Sequence, residues 1–338
     1  MCIHPHKAVS IRRSLCRQLN MSNFPAAPPL FVPCYQRSAT IVIPLQPVHS
    51  LIATLQGDEN PQTDSPLFSA VPSELRNAIF RFMLTSYDDK AAPYPEGNHY
   101  NRPGYRFRQR IDTALLSTCR RIYREAHILP VSLNEHVFWA GRGPPGVKCS
   151  ADPVGQFSRL TVEQREAIDS VHLFTQMYWL EGTFPPLCNS DRFRMKNLKV
   201  TIRHGDWWNW ESNQPLVMKN NWTGNLKAIT NLESFEMELE TLERDKSQLE
   251  AIVKLMQSWR IKLGNGRVLT TEGKKVVPSR YSGPTNYEGL RYDVQKSRWL
   301  WDSRRRRQDT TAPTAPAPPL YYVGYTLLWT AKHVPFEH

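Results

Sequence analysis

The sequence predicts an α+β fold, an N-terminal helix pair followed by a mixed α/β sheet domain, on three observations. Apolar residues recur at helical spacing in two stretches between residues 71 and 129. Leu198, Val200 and Ile202 then alternate with Lys199, Thr201 and Arg203, and Phe235, Met237 and Leu239 with Glu236, Glu238 and Glu240, the period of half-buried strands. Helical spacing returns over residues 244–263, where Leu249, Ile252, Val253, Met256 and Trp259 share one side. The 338 residues leave room for one large domain or two small ones, and with 40% hydrophobic and 11% aromatic residues they can bury a core.

Residues 1–64 read as a disordered or targeting tail. No acidic residue precedes Asp58, while Lys7, Arg12, Arg13, Arg17 and Arg37 supply positive charge. Ile11, Leu15 and Leu19 fall on one face of a short helix with the arginines off it, the pattern of a mitochondrial transit peptide; a plain tail is the competing reading.

The first helix covers residues 71–84, with Leu75, Ile79 and Phe82 as its apolar stripe, Pro72 in the first turn and Glu74 near the positive end of the dipole. A loop over residues 88–110 comes next, because Pro93, Pro95, Gly97, Pro103 and Gly104 break regular structure. The second helix opens at Asp112 or Thr113 and ends before Pro130, carrying Leu115, Cys119, Ile122, Ala126 and Leu129 on one face. Core packing is the expected role of Leu75, Ile79, Leu115, Cys119 and Ile122. Cys119 on that stripe reads as a small buried hydrophobe rather than a nucleophile. Arg120, Arg121 and Arg124 on the other face suit either solvent or an acidic partner.

Val71, Pro72, Glu74, Leu75, Ile79 and Phe80, followed by Leu115, Leu116, Cys119, Arg120 and Tyr123, resemble the F-box pattern, in which Leu-Pro-x-Glu-Leu opens one helix and Cys-Arg-x-x-aromatic closes the motif. The longer runs PSELRNAIFRFML and ALLSTCRRIYREAHILPVSLNEHVFW are similar to a fungal family of F-box-like proteins. The resemblance spans residues 65–140 and implies an F-box-like helical domain there, running into a short strand at Glu135–Ala140. F-boxes bind a Skp-type adaptor through these helices and so join a cullin-RING ubiquitin ligase. The resemblance therefore implies a protein-binding role for Val71, Pro72, Glu74, Leu75, Ile79, Leu115, Cys119, Arg120 and Tyr123. This chain has Val71 where the family usually has Leu, and a long loop where it has a compact middle helix.

Residues 155–280 read as an α+β receptor-like domain. Thr161 and Gln164 form a capping box at the start of a short helix, and Ile168, Val171 and Leu173 mark a strand. If the strands around Val200 and Met237 are neighbours, one polar face is basic and the other acidic, and cross-strand pairs contribute roughly 0.2–1 kcal/mol each. Ile168-x-x-Val171-x-Leu173 and Leu232-x-x-Phe235-x-Met237 match the leucine-rich-repeat strand, so an irregular repeat-like sheet stands beside a plain α+β sheet as an alternative. Trp207, Trp208 and Trp210 come just after a strand, and they either anchor a partner or fold back over the sheet edge.

Residues 281–319 read as a basic, Pro-rich linker. Its run Arg304, Arg305, Arg306 and Arg307 suits nuclear import, phosphate binding or plain solvation. Strands over residues 267–271 and 320–334 complete the set, the last returning to the sheet.

With 43 Lys plus Arg against 31 Asp plus Glu, the net charge of +12 admits a nucleic-acid-associated nuclear protein as the alternative function, although no helix-turn-helix, zinc-finger or RNP motif is present. There is no P-loop, GxGxxG, GxSxG or HExxH, and His127, His136, His172 and His204 stand alone, so no enzyme, catalytic residue or cofactor is predicted. The six cysteines form no CxxC pair, and neither a metal site nor a disulfide framework is expected. No apolar run reaches the roughly 20 residues of a membrane span. The expectation is a non-catalytic protein-protein interaction module of nucleus or cytoplasm, with mitochondrial import as a minor alternative.

Overall fold

The computed structural model describes residues 60–95, 98–144, 153–287, 289–301 and 319–333. The transit-like stretch and Arg304 to Arg307 lie outside the described residues. The fold is mixed α+β, with several sheets and short helices.

The first described elements are α1 (Pro66–Ser69) and α2 (Ser73–Leu84), then β1 (Tyr87–Pro93) and β2 (Phe107–Arg110). Helix α2 starts after Pro72, with Glu74 in its first turn and Arg81 in its last, both complementing the helix dipole. It buries Arg76, Phe80 and Leu84, spaced by four, against Leu116, Ile122, Tyr123 and Ala126. This corrects the expectation for the other stripe: Leu75 is 57% exposed, Ile79 44% and Phe82 82%. Arg76 can take an inner position because Glu125 accepts from its Nε at 3.2 Å, Val71 O accepts from its Nη1 at 2.9 Å, and its guanidinium lies over the Phe68 ring.

The expected continuous helix over 113–129 is broken. A 3₁₀ turn at Ala114–Ser117 precedes Cys119, which is extended (φ −151°, ψ 163°) and caps α3 (Arg120–Ala126); Pro130 sits at the start of α4 (Leu129–Ser132), where its missing N–H costs no bond. Cys119 and Leu115 are half-buried at the edge of this cluster. Residues 88–110, expected as loop, contribute the antiparallel pair β1–β2, whose register shifts between Asp89 and Pro93 and so accommodates the proline. Asn134 fastens the end of α2 to α4: its Nδ2 donates to Leu84 O and Pro130 O, both at 2.9 Å, and its Oδ1 accepts from Ser86 N at 2.6 Å.

The main sheet has four parallel strands, β3 (His136–Trp139), β4 (Ser170–Phe174), β5 (Asn197–Ile202) and β6 (Ser234–Leu242). Helices α5 (Pro153–Phe157) and α6 (Val162–Glu166) precede β4, and α7 (Met177–Gly182) and α8 (Phe184–Cys188) precede β5. Helix α9 (Lys246–Gln257) comes after β6 and leads to β7 (Ile261–Lys262) and β8 (Arg267–Thr270). Next come β9 (Pro278–Gly283) and a small antiparallel sheet of β10 (Asn286–Tyr287), β11 (Leu290–Asp293) and β12 (Arg298–Trp301). Residues 281–301, expected as linker, therefore carry strands. Finally β13 (Leu320–His333) lies antiparallel to β6 and offers its other edge to β9 and then β8.

One face of the parallel strands is apolar in register. Val171, Leu198 and Phe235 are side by side, as are Leu173, Val200 and Met237, all buried, with buried Ile168, Met195 and Leu232 three residues before the first row. Helix α9 packs Leu249, Ile252, Val253 and Met256 into the same core, in which Trp259 and Trp329 stack. The helix is shorter than residues 244–263 because Ile261 and Lys262 pair with Leu269 and Val268, and the chain turns through Gly266 at φ +80°, a conformation glycine adopts freely. The capping box at Thr161 and Gln164 is present in both directions, at 3.1 Å each.

Candidate functional site

The opposite face of the parallel strands is polar, because the residues alternating with that core are His172 on β4, Lys199 and Thr201 on β5, and Glu236, Glu238 and Glu240 on β6. Lys199 stands beside Glu236 across the ladder, with Nζ at 2.9 Å from Oε1 and 3.7 Å from Glu238 Oε2, which is the pairing the alternation predicted.

The segment between β1 and β2 covers this face. Tyr94, Tyr100 and Tyr105 pack around Trp139 and Phe174, which stack 3.8 Å apart. Arg102 enters beside them, and its Nη2 contacts Glu238 Oε1 at 2.5 Å and Glu240 Oε2 at 3.1 Å. Burial alone would favour neutral Arg102, but Glu240 and Glu238 hold it charged. Tyr281 from β9 also donates to Glu240.

A hydrogen-bonded chain runs across the strands. Glu135 Oε2 lies 3.2 Å from His172 Nδ1 and 3.3 Å from the Tyr105 hydroxyl; that hydroxyl is 2.5 Å from the same Nδ1. His172 Nε2 is 2.8 Å from Thr201 Oγ1, which is 3.0 Å from Glu238 Oε2. Burial depresses the His172 pKa, so the ring is neutral near pH 7, and burial together with Glu135 and Glu238 raises that of Tyr105. Burial works against ionisation of Glu135, but the His172 contact and the charge of Lys199 prevail and hold its carboxyl below the usual range.

A neutral imidazole leaves two proton arrangements. In one, Nδ1–H donates to the Tyr105 oxygen and, over a longer contact, to Glu135, the Tyr105 hydroxyl donates to Glu135, and Thr201 donates to Nε2. In the other, Nε2–H donates to Thr201, Thr201 to Glu238, and Tyr105 to Nδ1. Glu238 keeps Arg102 in both, whereas Glu135 has donors only in the first, so the first is favoured. The chain thus links the partly exposed Glu135 carboxylate to that of Glu238, whose side chain is 17% exposed. A cleft of about 600 Å³ opens onto it, walled by Pro103, Ile111, Pro130 and Val137 with Glu135, Lys199 and Glu238 among its polar residues. That size suits a small ligand or a side chain.

The residues singled out by sequence lie elsewhere. Glu74, Leu75 and Ile79 are exposed on α2, Pro72 is exposed and Val71 half-buried just before it, and Arg120 is exposed at the start of α3, while Tyr123 is buried in the small cluster. Trp207 and Trp210 are buried; Trp207 Nε1 donates to Glu240 O at 2.8 Å, and Trp210 packs on Tyr287 and Trp299. Only Trp208 of the three is exposed, so the indoles mainly fold back over the sheet. Sequence reading missed Arg102, Tyr105 and Glu135 and treated His172 as isolated. The available signal was His172 flanked by Val171 and Leu173, which sets it on the polar side of its strand.

Among the described residues no cluster of His, Cys, Asp or Glu is arranged to hold a metal ion, and no helix is long and apolar enough to cross a membrane. In comparisons with family models, curated proteins and solved structures, the chain matches none.

Proposed function

We propose that the protein is a protein-protein interaction module of F-box-like type, which docks a Skp-type adaptor on the outer face of α2 and serves as a substrate receptor of a cullin-RING ubiquitin ligase. The observation that carries this reading is the exposure of Leu75, Ile79, Phe82 and Met83 on one side of α2. A contiguous apolar stripe left in solvent marks an interaction surface, and two of its members belong to the residues that resemble the F-box pattern. The in-register rows on β4, β5 and β6 support an irregular leucine-rich-repeat-like reading of the sheet domain, the kind of array that receives substrates in F-box proteins.

The test is affinity purification of the tagged full chain from its own organism beside Leu75→Ser/Ile79→Ser, with mass spectrometry of the retained proteins. Recovery of adaptor and cullin by the parent alone supports the proposal. Recovery of neither by a folded parent, or of both by parent and variant equally, rejects it.

A further inference from the structure

Glu135 is ionised, 38% of its side chain is exposed, and its close partners are the neutral His172 and the Tyr105 phenol. No Lys or Arg among the described residues forms an ion pair with it: Lys199 is engaged by Glu236 and Glu238, and Arg102 by Glu238 and Glu240. The cleft itself is lined by two carboxylates, Glu135 and Glu238, against one ammonium, Lys199. The cleft carries a local negative excess on a chain whose net charge is +12.

We propose that the cleft over β3 to β6 is a recognition site for a cationic group on an aliphatic stem, a protonated primary amine or a guanidinium, with Glu135 as its counter-ion. Pro103, Ile111, Pro130 and Val137 give the stem apolar walls, and the volume of about 600 Å³ accepts a long side chain. The hydrogen-bonded chain suits the same ligand. A cation on Glu135 replaces the donors from Tyr105 and His172; as the imidazole gives up its Nδ1 proton and takes one at Nε2, the Tyr105 hydroxyl donates to Nδ1, Nε2–H to Thr201 and Thr201 to Glu238. Pairing a bound cation with a half-buried carboxylate is a charge-assisted contact, stronger than a neutral hydrogen bond. The cleft adjoins the C-terminal end of α2, where Ser86 and Asn134 line it, and its test requires no adaptor.

The chemistry has two sources, a Lys or Arg side chain of a polypeptide and a free polyamine. The purified full chain is titrated calorimetrically with Nα-acetyl-lysine methylamide, Nα-acetyl-arginine methylamide, spermidine and, as the uncharged isostere, Nα-acetyl-norleucine methylamide. Binding by a cationic probe but not by norleucine is expected, weakened about tenfold or more by Glu135→Gln. Lys199→Gln removes a competing ammonium and is expected to tighten binding, so the two variants move the affinity in opposite directions. A spermidine preference assigns the site to free polyamines, and a preference for a capped amino acid to polypeptide side chains. No binding at millimolar probe, equal binding of norleucine, or indifference to both variants overturns the proposal.

Discussion

Arg102 donates from Nη2 to Glu238 Oε1 at 2.5 Å, joining the segment between β1 and β2 to a strand 136 residues later in the chain. The contact lies on the polar face of the sheet, and it couples the N-terminal hairpin to the cleft.

Replacing Arg102 by Met leaves the buried Glu240 and the half-buried Glu238 beside each other with no guanidinium between them. Uncompensated buried charge costs about 3–5 kcal/mol. Urea denaturation is expected to show a loss of that size, and an unchanged midpoint would mean that water already solvates the two carboxylates.

Acid should destabilise the fold through His204. Its Nε2 accepts from the indole N–H of Trp299 at 3.1 Å, so that nitrogen carries no proton; burial, reinforced by Arg244 and Arg142, pushes its pKa down to about 3. Thr241 Oγ1 faces Nδ1, and Trp210, Tyr287 and Tyr322 pack around the ring. Because the folded pKa lies below the unfolded value, the unfolded chain binds more protons as pH falls. The stabilisation is complete above about pH 6.5 and is lost progressively toward pH 3, by about 2 kcal/mol at pH 5. His99, depressed to about 4 by burial and by Arg203, acts in the same direction. Denaturation midpoints measured between pH 7 and 4 should fall with this slope, and His204→Gln should flatten it while lowering stability at pH 7.

The two stripes of α2 should respond oppositely to truncation. Phe80→Ala removes a fully buried ring and is expected to cost about 3–5 kcal/mol. Leu75→Ser should change stability by no more than about 0.5 kcal/mol, as for exposed positions generally. Equal losses in paired thermal melts would show that the outer stripe is covered within the chain itself.

Thr161→Ala removes the side-chain acceptor for Gln164 N and half of the capping box at α6, a loss of about 1 kcal/mol. Thr161→Ser keeps the hydroxyl and should retain most of that stability when the two are compared by chemical denaturation.

The strands were legible where one face is buried and the other solvated, since the alternation of Leu198, Val200 and Ile202 with polar neighbours stems from the pleat itself. Helix α2 was legible as a helix, but its inward side was not. Leu75, Ile79 and Phe82 compete with Arg76, Phe80 and Leu84, and hydropathy favours the first set. The second wins because Glu125 neutralises Arg76 and Phe68 covers it, contacts made across chain distance. The hairpin β1–β2 was hidden by prolines, which occur in strands where the ladder is irregular. Tyr105, Glu135, His172 and Glu238 come from separate parts of the chain, and nothing local to any one of them announces the others.

On the proposed function, the exposed stripe of α2 docks a Skp-type adaptor. The most direct test is a binary titration of the purified full chain with a purified Skp-type adaptor, in parallel with Leu75→Ser/Ile79→Ser. Saturable binding that the double variant weakens about tenfold or more, at unchanged thermal stability, is the predicted result. No binding by the parent, or equal binding by both, would contradict it.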